Sequence, residues 1–191
     1  MGLMATRSFL YDIQVTLLDM PWPVWRRLLV PSTITFKKFH EAIQIAMGWQ
    51  NYHLFEFRYG PIAISIPDED FLVDEFHFDA RWKKLSSLNL STSDVMSYLY
   101  DFGDNWVHLI HVKGIRPLEH RELSVRCTGG EGACPPEDVG GPYGYEQFLQ
   151  TIYDSEDPEA NHLLDWAGGS FDPWAFDRNH VNKEMAQRFK K

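Results

Sequence analysis

The sequence predicts an α+β fold: a single domain on a mostly antiparallel sheet, with one helix between the early strands and helices packed from the C-terminal third. Three observations predict it. Apolar residues alternate through residues 8–30 and again through 95–115. Helical spacing interrupts the early strands only at 35–47, and it returns after residue 144. Strands first and helices last is an α+β order and not a βαβ series. The length of 191 residues fits one domain of roughly 100–200 residues. The domain is assigned to 1–191, with its core at about 8–182.

Phe9, Tyr11, Ile13, Val15 and Leu17 fall on one side of a strand over residues 8–19. Pro21 and Pro23 break it, and residues 24–30 form its hairpin partner, closed by Pro31. Thr35 caps a helix running to Met47, where Gly48 suits the left-handed C-terminal position. His53, Phe55, Phe57 and Tyr59 alternate as a third strand, and residues 61–67 add a short one. Residues 68–94 are acidic and mixed, a loop with one short helix. Residues 95–101 and 105–115 form the clearest hairpin, turning at Gly103-Asp104, and a further strand covers 122–126. The glycines and prolines of 127–144 leave no regular element there. Residues 145–153, 158–166 and 181–189 read as helices, with Asp157-Pro158 and Asp172-Pro173 as starts.

Composition removes several function classes. Aromatic residues make up 15% of the chain, which excludes disorder of the whole. The net charge of −9 argues against general coating of DNA. The acids lie in the last two thirds, so a nucleic-acid site would have to sit near the N-terminal third. No long apolar window and no apolar leader are present, so a cytoplasmic protein with no membrane segment is expected. Two cysteines are too few for a disulfide scaffold.

Three constellations carry chemistry. A two-residue turn at Gly103-Asp104 would pair Asp101 with Trp106 and place Asp101, Trp106 and His108 on one sheet face. Such a carboxylate–imidazole cluster, with Asp104 beside it, suits proton transfer or a divalent metal. The alternative is that the two aspartates hydrogen-bond the turn while His108 is a satisfied core residue. In the second, Cys127 and Cys134 flank a glycine-rich loop that continues to Glu137 and Asp138. The two thiols are half a zinc site, a redox pair or small apolar fillers. The third is Trp25-Arg26-Arg27 with His53, where the arginines point to opposite sides: either Trp25 stacks on a guanidinium or a base and one arginine meets a phosphate or carboxylate partner, or the group is a cation–aromatic packing ladder with a salt bridge.

The motifs occur in a fixed order. Pro23-x-Trp25-Arg26-Arg27 leads to Phe36-x-x-x-His40 and Ile43-Gln44-x-Ala46-Met47-Gly48-Trp49, then His53-Leu54-x-x-Phe57. Tyr100-Asp101-Phe102-Gly103-Asp104-x-Trp106-x-His108 follows, then the loop from Cys127 through Cys134-Pro135-Pro136-Glu137-Asp138 to Gly144-Tyr145, and finally Phe171-Asp172-Pro173-x-x-Phe176. This series resembles the Ri-plasmid ORF-three-like family over residues 8–182. The resemblance implies a single α+β domain and a soluble prokaryotic protein, with no established activity. Phe55 stands where a second His often follows, and Val139 where a third Cys can follow. Both departures weaken a metal site at those positions.

The leading functional expectation is a binding or interaction module with a Trp-lined polar groove holding Trp25, Arg26, Arg27, Trp49, His53 and Trp106. Its partner is a protein, a peptide or a nucleic acid. The alternative is a metal-dependent hydrolase, with catalytic candidates Asp101, Asp104, His108, Glu137 and Asp138. Its divalent metal, zinc, would have ligands drawn from Asp101, His108, Cys127 and Cys134. A structural or thiol-redox role for the cysteine loop is the third reading.

Overall fold

The computed structural model describes residues 8–67, 75–119, 124–154 and 156–189. Eight strands form one sheet: β1 (Phe9–Leu17), β2 (Val24–Pro31), β3 (Phe55–Tyr59), β4 (Ile62–Ser65), β5 (His77–Asp79), β6 (Val95–Tyr100), β7 (Trp106–Pro117) and β8 (Arg126–Glu131). The helices are α1 (Phe36–Met47), α2 (Gly141–Tyr153), α3 (Ala160–Trp166) and α4 (Arg178–Arg188). The sheet order is β5-β4-β3-β6-β7-β1-β2-β8. Every neighbouring pair is antiparallel except β4 and β5, so the expected α+β architecture is the one observed.

One sheet face is dry. Ile13, Val15, Leu28, Val30, Phe57, Tyr98 and Ile110 are buried, while alternate residues such as Asp12, Gln14 and Arg27 face outward. This is the pattern of an antiparallel sheet covered on one side. Helix α1 supplies cover through Phe36, Phe39, Ile43 and Met47. Phe39 stacks on Phe57 at 5.5 Å. Thr35 accepts a hydrogen bond from Lys38 N, and Gly48 turns left-handed at φ 94°, as the sequence implies.

Three local expectations are corrected, and a fourth lies partly outside the described residues. The β6–β7 register pairs Tyr100 with Trp106 and Tyr98 with His108, so residues 101–105 form the loop and the Gly103-Asp104 turn is overturned. Asp101 and Asn105 adopt φ 57° and 58° there, and Asn105 N closes the loop on Asp101 O at 2.7 Å. Residues 126–131 are not loop but an edge strand on β2. Its glycines are needed for contact: a Cβ on Gly130 would lie 2.7 Å from the Phe176 ring. Within 68–94, β5 and a 3₁₀ turn (Leu85–Leu88) form, while 68–74 lie outside the described residues. The strand expected at 122–126 is described only from residue 124, and β8 starts at Arg126.

The late helices are shifted as well. Helix α2 starts at Gly141 and not at Tyr145. Asp172 accepts from Trp174 N in a turn, and α4 is capped instead by Asp177, which accepts from Asn179 N and His180 N. No helix among the described residues is long and apolar enough to cross a membrane.

A candidate ion-binding triad beside an aromatic cleft

Three loops meet at one end of the sheet. The first follows α1 and carries Trp49 to His53, the second is 101–105, and the third is 132–140. Close backbone packing joins the last two. Gly140 N donates to Asp104 Oδ2 at 3.1 Å, and a Cβ on Gly141 would lie 2.5 Å from the Asp104 carbonyl oxygen. Gly141 sits at φ 71°, where glycine carries no steric penalty. The first loop is fixed to the third by Trp49, which donates its indole N–H to Pro135 O at 2.9 Å, and by Gln50 N, which donates to Glu137 Oε2 at 2.6 Å. Tyr100 donates its hydroxyl to the other Glu137 oxygen and accepts from Tyr52 N at 3.1 Å.

This convergence creates a triad. His53 Nε2 lies 2.9 Å from Asp138 Oδ1 and 3.6 Å from Asp101 Oδ2. The three donor atoms lie within 4.8 Å of one another, and this is the group of donors placed to share a metal ion among the described residues. Asp101 is buried and its Oδ1 accepts from Gly103 N at 2.9 Å, which leaves Oδ2 toward His53. Asp138 is exposed. Both aspartates hold a left-handed backbone, at φ 57° and 61°.

Beside the triad is a cleft of about 400 Å³. Trp49, Tyr52, Trp166 and Phe171 supply its aromatic walls, and Glu137 and Asp138 its charge. Among the described residues, no lysine or arginine lines it. Tyr52 and Trp166 keep 69% and 47% of their surface in solvent, so a ligand can reach them.

The structure disperses the other candidates. His108 is fully buried and contacts the Tyr98 and Trp106 carbonyl oxygens through Nδ1, with Trp49 edge-on at 5.4 Å. Burial pushes its pKa down to about 4, so it is a neutral core residue. It is absent from the triad because the five-residue loop shifts the hairpin register by one position, which removes the expected Asp101–Trp106 pairing. Asp104 serves the loop contact with Gly140. Trp106 is core.

Arg26 is also core, at 2% exposure. It donates to the carbonyl oxygens of Ala46, Trp25, Glu131 and Gly132, with Phe176 over its guanidinium at 4.2 Å. Trp25 and Arg27 lie on the opposite sheet face, bonded to Glu131 and Asp12 respectively. Trp25, Arg26, Arg27, Trp49, His53 and Trp106 therefore do not line one groove: strand alternation turns Trp25 and Arg27 away from Arg26, and Arg26 and Trp106 are buried. Cys127 and Cys134 are free thiols. Cys127 bonds Gly129 O and Cys134 bonds Met47 Sδ, and neither joins a three-donor group among the described residues.

Tyr52, Tyr100 and Trp166 join the site without standing among the candidates that the motifs name. Tyr100 sits inside the Tyr-Asp-Phe-Gly-Asp motif, so its signal was present, whereas Tyr52 and Trp166 carry none beyond their aromaticity.

Comparison with known proteins agrees with this picture. Residues 10–180 match the family described as plasmid pRiA4b ORF-3-like protein. The uncharacterized protein y4hQ of Sinorhizobium fredii (strain NBRC 101917 / NGR234) is 38% identical over 177 residues, which is 91% of this chain and 89% of that protein. The crystal structure of MM3350, a protein of unknown function from Methanosarcina mazei Go1, superposes with a TM-score of 0.79 at 32% identity and covers 94% of this chain and 99% of that one. Motif order, fold and sequence converge, and the chain belongs to the plasmid pRiA4b ORF-3-like family.

Proposed function

We propose that this protein is a binding module whose working surface is the Trp49–Trp166 cleft, and that its ligand is a basic peptide offering a lysine or arginine side chain. The observation that carries this reading is the lining: four aromatic residues and two carboxylates, with no basic residue among the described ones. Aromatic faces attract cations through the ring quadrupole, and adjacent carboxylates add charge at the same place. Glu137 is held in position by Tyr100 and Gln50, so its charge is fixed before a ligand arrives. The acidic balance of −9 favours a cationic partner over a nucleic acid by the same electrostatics.

The test is a titration with a lysine/arginine-rich peptide and an acidic peptide of equal length, read by tryptophan fluorescence. The basic peptide should bind, and more weakly as salt rises. Trp166→Ala and Tyr52→Ala should lower its affinity, while Glu146→Gln, which removes an exposed acid outside the cleft, should not. Equal binding of both peptides, or equal losses in all three variants, would overturn the proposal.

A further inference from the structure

We infer that His53, Asp101 and Asp138 form a binding site for a first-row divalent metal ion. The inference rests on atom positions and shares Asp138 with the peptide reading, so its test is run without peptide. Around one ion with ligand distances of about 2.0–2.2 Å, donors at right angles lie about 3 Å apart and opposed donors about 4 Å apart. The observed 2.9 Å and 3.6 Å separations fall in that range, with all three atoms inside 4.8 Å.

A second observation points to an ion. His53 Nε2 is shielded from solvent and makes no hydrogen bond, although Asp138 Oδ1 is only 2.9 Å away. The ring and the carboxylate are close without the alignment that an N–H donor requires. A cation placed between the ring nitrogen and the two carboxylate oxygens would attract all three. The surroundings suit such a site. Gly103 N holds Asp101 through the oxygen that the ion does not use, an orienting contact of the kind metal-bound carboxylates make. The His53 ring packs edge-on against Tyr100 at 5.8 Å, which fixes its direction.

The donor set selects the ion. One imidazole and two carboxylates suit zinc or manganese, and the absence of thiolate among them disfavours copper(I). An all-oxygen shell, as calcium and magnesium prefer, is not what these residues offer. Three protein donors leave coordination positions for water or a ligand oxygen.

The experiment is a calorimetric titration of chelator-treated full-length protein with Zn²⁺, repeated with Mn²⁺ and Mg²⁺, with no peptide present. One equivalent of Zn²⁺ should bind more tightly than Mg²⁺. Asp138→Asn and Asp101→Asn should each weaken it by about tenfold or more. Asn tolerates the left-handed backbone and keeps an acceptor for Gly103 N, so the fold should survive, and circular dichroism checks this. His180→Gln is the control, because His180 lies 3.3 Å from Glu184 on α4 as an exposed alternative metal site. Loss of binding in His180→Gln with retention in both Asn variants would overturn the proposal. So would failure of wild type to take up one equivalent, which would leave the triad as an ion-pair clasp between loops.

Discussion

The Tyr100 hydroxyl donates to Glu137 and ties the end of β6 to the loop that precedes α2. The same oxygen accepts from Tyr52 N, so one phenol joins three chain segments around the cleft. Burial and the adjacent carboxylate keep this phenol protonated, as its donor role requires. Tyr100→Phe should therefore cost about 1–3 kcal/mol, because Tyr52 N and Glu137 lose a partner in a half-buried setting. Urea unfolding measures the loss. The basic peptide should also bind more weakly, since Glu137 would no longer be held. An unchanged urea midpoint would show that the bond contributes nothing.

Arg26 is a buried cation satisfied by carbonyl oxygens and not by a carboxylate. Its fork reaches Ala46 at the end of α1 and Glu131 and Gly132 at the end of β8. A lysine has no planar fork and cannot reach all of these acceptors at once. Arg26→Lys should destabilise by about 3 kcal/mol or more, as expected for breaking a buried charge network. Denaturant unfolding reads this directly, and a change below 1 kcal/mol would contradict the clasp role.

Gly130 lies between Arg26 and Phe176. A Cβ there would meet the Phe176 ring at 2.7 Å and Arg26 Cδ at 2.9 Å. Gly130→Ala should cost about 1–3 kcal/mol through overpacking. The penalty should shrink when Phe176→Leu is introduced with it, because the ring is the nearest obstacle. A double-mutant cycle measures the coupling, and strict additivity would rule out the clash.

The cysteines are expected to be slow nucleophiles. Burial raises the Cys127 thiol and pushes Cys134 up to about 11. Set against the ordinary 9.0, that leaves about a hundredfold less thiolate at Cys134 near pH 8. Native protein should resist iodoacetamide at both positions, and protein in urea should react at both. Mass spectrometry scores the outcome, and rapid modification of either residue in native protein would revive a thiol role.

Much of the fold was legible because periodicity reports burial. The β1 alternation, the Thr35–Gly48 helix and the β6–β7 pair each follow from local patterns. Strand β8 was not legible, since its glycines are chosen for contact with Trp25 and Phe176, which no local rule anticipates. In the site, Asp101, Asp138 and His53 belong to three different sequence motifs. Their union depends on Gly140 and Gly141 packing against the 101–105 loop, a contact between distant parts of the chain. The tryptophans misled for a related reason. Lying inside polar motifs made Trp25, Trp49 and Trp106 look like one wall, whereas Trp25 faces outward and Trp106 inward.

Stability should fall on mild acidification because two histidines are buried uncharged. His40 contacts the Tyr98 hydroxyl at 2.7 Å through Nδ1 and Asn51 through Nε2, and it stacks on Phe55 at 3.7 Å. Burial pushes both His40 and His108 down to about 4. An unfolded imidazole titrates near 6.5, so the unfolded chain takes up these protons first as the pH drops. The stability held by each neutral ring is therefore complete above about pH 6.5 and lost between about 6.5 and 4. At pH 5 the loss should be roughly 2 kcal/mol per ring relative to pH 7. Urea unfolding across pH 5–7.5 tests this, with His40→Gln and His108→Gln as probes. Each variant lacks one titrating ring, so each profile should be shallower by about one proton, whatever its stability at pH 7. A profile as steep in both variants as in wild type would assign the acid sensitivity to other groups.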